Sequence, residues 1–161
     1  MHRRDLLRFS LGASVFLAGT SLVGCSAQTA ATGYQVLRDD DLPLLNALIP
    51  VVLAGTQAAE TLVLHSLDHK LAALSPEMLK LTRQLFDVLN LPLTRGPLTG
   101  VWGAWEYASA AQVTAFLQRW QHSSLNLLRM GHASLLQLLQ MAWYERPESW
   151  ASCGYPGPPK I

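Results

Sequence analysis

From about residue 40 onward, apolar side chains recur three and four residues apart, the spacing of helices that bury one face. Leu62, Val63, Leu67, Leu71 and Leu74 fall on one side of a helix predicted from about Ala58 to Leu74. An earlier helix is predicted to start near Asp40 or Asp41, with Pro43 in its first turn and Pro50 kinking or ending it. In Asp39-Asp40-Asp41, capping of that helix start is favoured over cation binding. Ser75-Pro76-Glu77 joins a capping hydroxyl, a proline suited to a first turn and an acid near the positive helix end. A third helix is predicted from there to Asn90. Residues 91–105 carry Pro92, Gly96, Pro97, Gly100 and Gly103 and read as a long loop. Ser109 is suited to cap a fourth helix, Ala110 to about His122. The last helix, Ser124 to Tyr144, confines Asn126, Arg129, Gln137, Gln140 and Tyr144 to one narrow stripe, which predicts a central helix with neighbours on several sides.

Composition points the same way. The 161 residues include 31 Leu against 9 Val and 2 Ile, material for helices rather than strands. The expected fold is all-α, an irregular bundle of four to five helices after an N-terminal export signal and a flexible tether. Half the residues are apolar and 14% are charged, which excludes a disordered chain. A formal net charge of +1 leaves no surplus of cations for phosphates, so no nucleic-acid partner is expected.

The first residues read as an address. A basic head with Arg3, Arg4 and Arg8 precedes an uncharged stretch from Phe9 to Val23, too short for a spanning helix and interrupted by Gly12, Gly19 and hydroxyl residues. Arg3-Arg4-Asp5-Leu6-Leu7 resembles a twin-arginine export signal, a route for proteins already folded. An ordinary secretion signal is the alternative. Leu22-Val23-Gly24-Cys25 resembles a lipobox, in which Cys25 is acylated and becomes the new N-terminus. Cleavage near Ala27 or Ala30 would discard it instead. If Cys25 is acylated, Cys153 is the one thiol left; if both survive unmodified, an oxidising envelope permits a disulfide. The expected organisation is a leader over residues 1–24, a tether over 25–33 and a helical domain over 34–161.

Candidate chemistry is sparse. His65 and His69 share a helix face with Asp68 beside them, but a third metal ligand would have to come from His122 or His132, and His-Glu-x-x-His is absent. Solvated histidines are the expected reading, and no metal site is assigned. Cys153 lacks a nearby base to lower its pKa, and neither a nucleophile elbow nor a glycine-rich phosphate loop occurs. No catalytic residue is assigned. All five tryptophans lie in the second half. Trp120 and Trp143, in helices, are expected in the core. Trp102, Trp105 and Trp150 lie among Gly and Pro, where they cannot all be buried, which points to a protein-partner surface.

The tail from Trp150 through Ala151-Ser152-Cys153-Gly154-Tyr155-Pro156-Gly157-Pro158 to Pro159 resembles the ending of the gluconate 2-dehydrogenase subunit 3 family. Leu37-Arg38-Asp39-Asp40-Asp41, leading through Leu45 and Leu48 into Ile49-Pro50, is similar as well, as is the leader. Arg146-Pro147-Glu148-Ser149 stands where that family often carries an acidic, glycine-rich segment. The resemblance implies a non-catalytic small subunit without a cofactor of its own. Its partner would be a large FAD-bearing dehydrogenase of the glucose-methanol-choline type, often joined by a cytochrome subunit. On that reading Arg3, Arg4, Leu6 and Leu7 engage the twin-arginine translocase and Cys25 carries the lipid. Trp150, Gly154, Tyr155, Pro156 and Gly157 contact the partner, with Gly154–Pro159 pre-extended by its prolines. The protein is then periplasmic and lipid-anchored to a bacterial membrane. The rival expectation is a free-standing envelope lipoprotein with a structural or ligand-binding role.

Overall fold

The computed structural model describes residues 29–157. The leader with Arg3, Arg4, Leu6 and Leu7, the candidate lipid attachment at Cys25, and Pro158 and Pro159 lie outside the described residues. Within them the chain is all helical. Seven α-helices follow one another: α1 (Asp41–Val52), α2 (Glu60–Ala72), α3 (Pro76–Asn90), α4 (Pro92–Thr99), α5 (Ala110–Gln121), α6 (Asn126–Tyr144) and α7 (Pro147–Cys153). A single 3-10 turn, Trp105–Tyr107, lies between α4 and α5. None of these helices is long and apolar enough to cross a membrane.

The five predicted helices correspond to α1, α2, α3, α5 and α6. Ser75 accepts the Met78 amide with Pro76 in the first turn of α3, and Ser109 forms a capping box with Gln112 at α5. The two additional helices lie where proline and glycine suggested loop and tail. Pro92 and Pro147 each occupy a first turn, where a missing N–H costs nothing, and Gly100 and Gly154 close the helices with φ of 81° and 67°. Pro97 is inside α4, and Pro50 does not end α1, which continues to Val52. The carbonyl that Pro50 leaves unbonded belongs to Asn46, an exposed residue that water can serve.

The central helix is α1, not α6. Leu44, Leu45, Leu48 and Ile49 are each at most 1% exposed, and α1 packs against α2, α3, α5, α6 and the 3-10 turn. Each such side chain contributes about 2 kcal/mol of transfer free energy. By contrast α6 buries only Leu135, Leu139, Ala142 and Trp143, all in its second half. Its first half has Leu127 and Met130 in solvent, because leucine and methionine there extend the apolar pattern around a surface the fold leaves open.

Trp105, Phe116 and Trp120 form a core stack, the last two edge to face at 5.0 Å. Their indoles also serve helix ends. Trp105 Nε1–H donates to the Leu89 carbonyl and Trp120 Nε1–H to that of Leu98, each at 2.9 Å, satisfying acceptors in the last turns of α3 and α4.

Candidate functional site

The residues expected to meet a partner assemble at the C-terminal end of α6 and on α7. Pro147 and Glu148 start α7, and Arg146 pairs with Glu148 at 2.9 Å. Ser149 is fully buried, donating its hydroxyl to the Arg146 carbonyl at 2.7 Å, and this seats the short helix. Gly154 then takes a left-handed turn. The Tyr155 amide returns to the Trp150 carbonyl at 3.0 Å, and the two rings meet edge to face at 5.4 Å. Gly157, at φ 96°, lies under the Trp150 ring so closely that a Cβ would be 3.2 Å from it. The tail over Gly154–Gly157 is therefore folded back upon Trp150 and not pre-extended. Two left-handed glycines and the ring contact outweigh the extended preference of the single intervening proline.

The structure thus brings Trp150, Gly154, Tyr155, Pro156 and Gly157 into one cluster. Tyr155 is 49% exposed and Pro156 is exposed. Met141 and Tyr144, on the last turns of α6, add exposed apolar surface close to it. Tyr144 belongs to the polar stripe of the sequence pattern and Met141 does not; their spacing of three residues, just ahead of the tail, is the signal that puts them on one outward face. Glu145 fastens this end to α2, accepting from Ser66 at 2.5 Å and pairing with Lys70. Burial pushes the Glu145 carboxyl up, but the Lys70 and Ser66 hydrogen bonds, with the Lys70 and His69 charges, hold it below the usual range.

The histidines do not converge. His65 is exposed and stacks on Tyr34 at 4.9 Å, while His69 faces Glu145. Burial and then the Asp68 charge push the Tyr34 hydroxyl up. Asp68, 3% exposed, is fully engaged: its carboxylate accepts the backbone amides of Gln35, Val36 and Leu37 at 2.7, 2.9 and 2.9 Å. It is a clip that fastens the incoming chain to α2, a role missed in the sequence although an acid in the apolar row of Leu64, Leu67 and Leu71 was its sign. His122 and His132 sit together at the α5–α6 end, where burial, then the His122 charge, lower His132. Among the described residues no group of three or more His, Cys, Asp or Glu could hold a metal ion.

The acidic cluster is structural in another way than capping. Asp40 makes no side-chain cap bond. Asp41, buried, accepts the Arg38 amide at 3.0 Å and its guanidinium at 2.8 Å, and Arg38 reaches Asp87 on α3 at 2.7 Å. The two carboxylates hold the Arg38 guanidinium well above its ordinary value. A shallow hollow of about 160 Å³ lies between the end of α1 and the start of α2, lined by Ile49, Pro50, Leu53, Thr56, Ala58 and Glu60 among others. Glu60 is the one titratable side chain in its lining. Cys153 is a free, exposed thiol with the Ser152 hydroxyl at 3.9 Å.

Comparison with protein-family models, with curated proteins and with solved structures gives no match to this chain.

Proposed function

We propose that this chain is a non-catalytic accessory subunit of an exported oxidoreductase complex. It escorts a large FAD-dependent dehydrogenase of the glucose-methanol-choline type through the twin-arginine pathway and holds it at a membrane through a lipid on Cys25. The observation that carries the reading is the tail. Trp150 and Tyr155 are fixed by a left-handed turn, a ring contact and a glycine seat, yet Tyr155 stays half in solvent. An ordered aromatic pair with its tyrosine exposed, ahead of which Met141 and Tyr144 are also exposed, suits a protein interface, since little side-chain entropy remains to be lost on docking. The partner's FAD would supply the redox chemistry. The leader and the tail resemblance supply the partner's class.

The test is purification of the tagged native protein in mild detergent. A flavin spectrum and a co-purifying protein of several times its mass are the expected result. A colourless, monodisperse single species would overturn the accessory reading in favour of a free-standing envelope lipoprotein. Replacing Arg3 and Arg4 by Lys strands both proteins in the cytoplasm on this reading, and unimpaired export of the pair would refute the escort role.

A further inference from the structure

Charge is unevenly distributed along the folded chain. Between Val88 and Tyr144 there is one acid, Glu106, against Arg95, Arg119 and Arg129. The rest of the described chain carries nine Asp and Glu against five Lys and Arg. None of the three arginines has a carboxylate partner within ion-pair distance among the described residues.

The same region exposes the largest apolar side chains. Leu93 is 80% exposed, Leu127 77% and Trp102 76%, with Leu125 and Met130 also largely in solvent. Trp120 links the two helices that carry or support most of them. Its indole donates to Leu98 on α4, and its ring lies 2.6 Å from where a Cβ on Gly131 of α6 would be. Trp102 lies flat on Gly96 of α4, one turn beyond Leu93, and the Arg119 guanidinium rests against Gly100. Arg129, on α6, donates to the Ser123 carbonyl at 2.7 Å and to the Asn126 side-chain oxygen at 3.2 Å, which holds its charge at the start of that helix.

Chain length restricts what can cover this end. Ala31 is buried and its amide bonds the Leu37 carbonyl at 2.7 Å, so the chain is held to the domain at that point. Only six peptide steps separate Ala31 from Cys25, at most about 20 Å of chain. A domain of this size is about 35 Å across. A lipid on Cys25 therefore keeps the domain against the bilayer, and one of its faces must meet it.

We propose that the end formed by α4, the loop after it and the first half of α6 is a membrane-facing surface, seated on the anionic phospholipid of the bilayer that receives the Cys25 lipid. Trp102, Leu93 and Leu127 enter the headgroup boundary, where indole and leucine side chains partition, and Arg119 and Arg129 meet lipid phosphates. The inference rests on the lipid-anchored reading. It leaves the Trp150–Tyr155 cluster, about 21 Å farther along α6 from Met130 to Tyr144, turned to a protein partner.

Trp102 is the built-in probe, because Trp105, Trp120 and Trp143 are buried and the half-buried Trp150 is packed against Tyr155 and Gly157 in the tail. The full mature chain, taken from native membranes and separated from any co-purifying protein, is reconstituted into phosphatidylglycerol–phosphatidylethanolamine vesicles whose acyl chains carry bromine, which quenches nearby indoles. The expected result is a loss of about a fifth of the emission, one indole of the five, abolished by W102F. In R119Q/R129Q, or in all-phosphatidylcholine vesicles, the loss falls several-fold. Equal quenching in W102F overturns the proposal, as does no quenching while the protein stays vesicle-bound. Quenching absent with Trp102 shielded from iodide assigns the face to a protein, a partner or a second copy, and also overturns it. Mass analysis of the N-terminus separates the two readings. An acylated Cys25 without quenching refutes the face alone, whereas an unmodified N-terminus without quenching refutes both. Quenching by an unmodified chain supports the face independently of the anchor.

Discussion

Asp68 shows how much a single side chain can organise. Its two oxygens accept three successive amides, a strong arrangement because each hydrogen bond ends on a charge and the site is nearly dry. Without it, Gln35, Val36 and Leu37 would retain donors with no carboxylate beside α2, and the chain leading back to Ala31 would lose its attachment. Asp68→Asn keeps the shape but turns an NH2 toward those donors. The expected loss is about 3 kcal/mol of unfolding free energy, with faster amide exchange at residues 35–37. Asp87→Asn, at an exposed acid, is expected to cost less than about 1 kcal/mol. Equal costs in urea unfolding would show that Asp68 is not a clip. The His65–Tyr34 stack lies beside it, which accounts for a histidine at that position without a metal.

Two tryptophans lie against helix glycines, Trp120 of α5 on Gly131 of α6 and the loop residue Trp102 on Gly96 of α4, and the two contacts differ in what can yield. A Cβ on Gly131 would be 2.6 Å from the Trp120 ring, which is buried and fixed by its bond to Leu98. A Cβ on Gly96 would be 2.5 Å from Trp102, whose ring has solvent to move into. Gly131→Ala is therefore expected to destabilise by about 1–3 kcal/mol despite the better helix propensity of alanine, and Gly96→Ala to leave stability within about 0.5 kcal/mol. Thermal unfolding of the two variants checks the contrast. The same element-level view explains what the sequence could reveal. Helices with a capping hydroxyl and an apolar row, such as α3 and α5, were legible. Helices α4 and α7 were not, because proline in a first turn and glycine just past a last turn are helix boundaries as well as loop signals, and eight or seven residues give too little periodicity to decide. The place of α6 was misread because leucine and methionine on an outward face look like core until the neighbours are known. The aromatic tail residues were legible as a group, whereas their folding back depended on two left-handed glycines that composition alone does not distinguish from an extended linker.

At the scale of the molecule, the proposed partner surface and the core lie in different regions. The core lies around α1, so the C-terminal cluster can be altered without unfolding it. Tyr155→Ala, at a side chain half in solvent, is expected to move the melting temperature by less than about 4 °C. If the chain is the proposed accessory subunit, the same change weakens co-purification of its large partner by at least about 30-fold, the effect of losing an aromatic interface anchor. Acid acts on two sites along α6 in separate windows. His132 is lowered in the folded protein, so the unfolded chain binds the proton first and stability falls as pH drops through the ordinary imidazole value of about 6.5. Glu145 is also lowered, but as an acid it stabilises the fold above the ordinary carboxylate value and loses that contribution as pH falls from there through its own lower folded value, where protonation breaks the Lys70 ion pair to α2. His132→Gln should therefore flatten the stability profile just below neutrality and leave the lower window intact. Glu145→Gln should flatten only the lower one. Urea midpoints measured from pH 8 to pH 3 distinguish these outcomes, and a His132→Gln profile that still falls near neutrality would mean that another group, not this imidazole, senses the first protons.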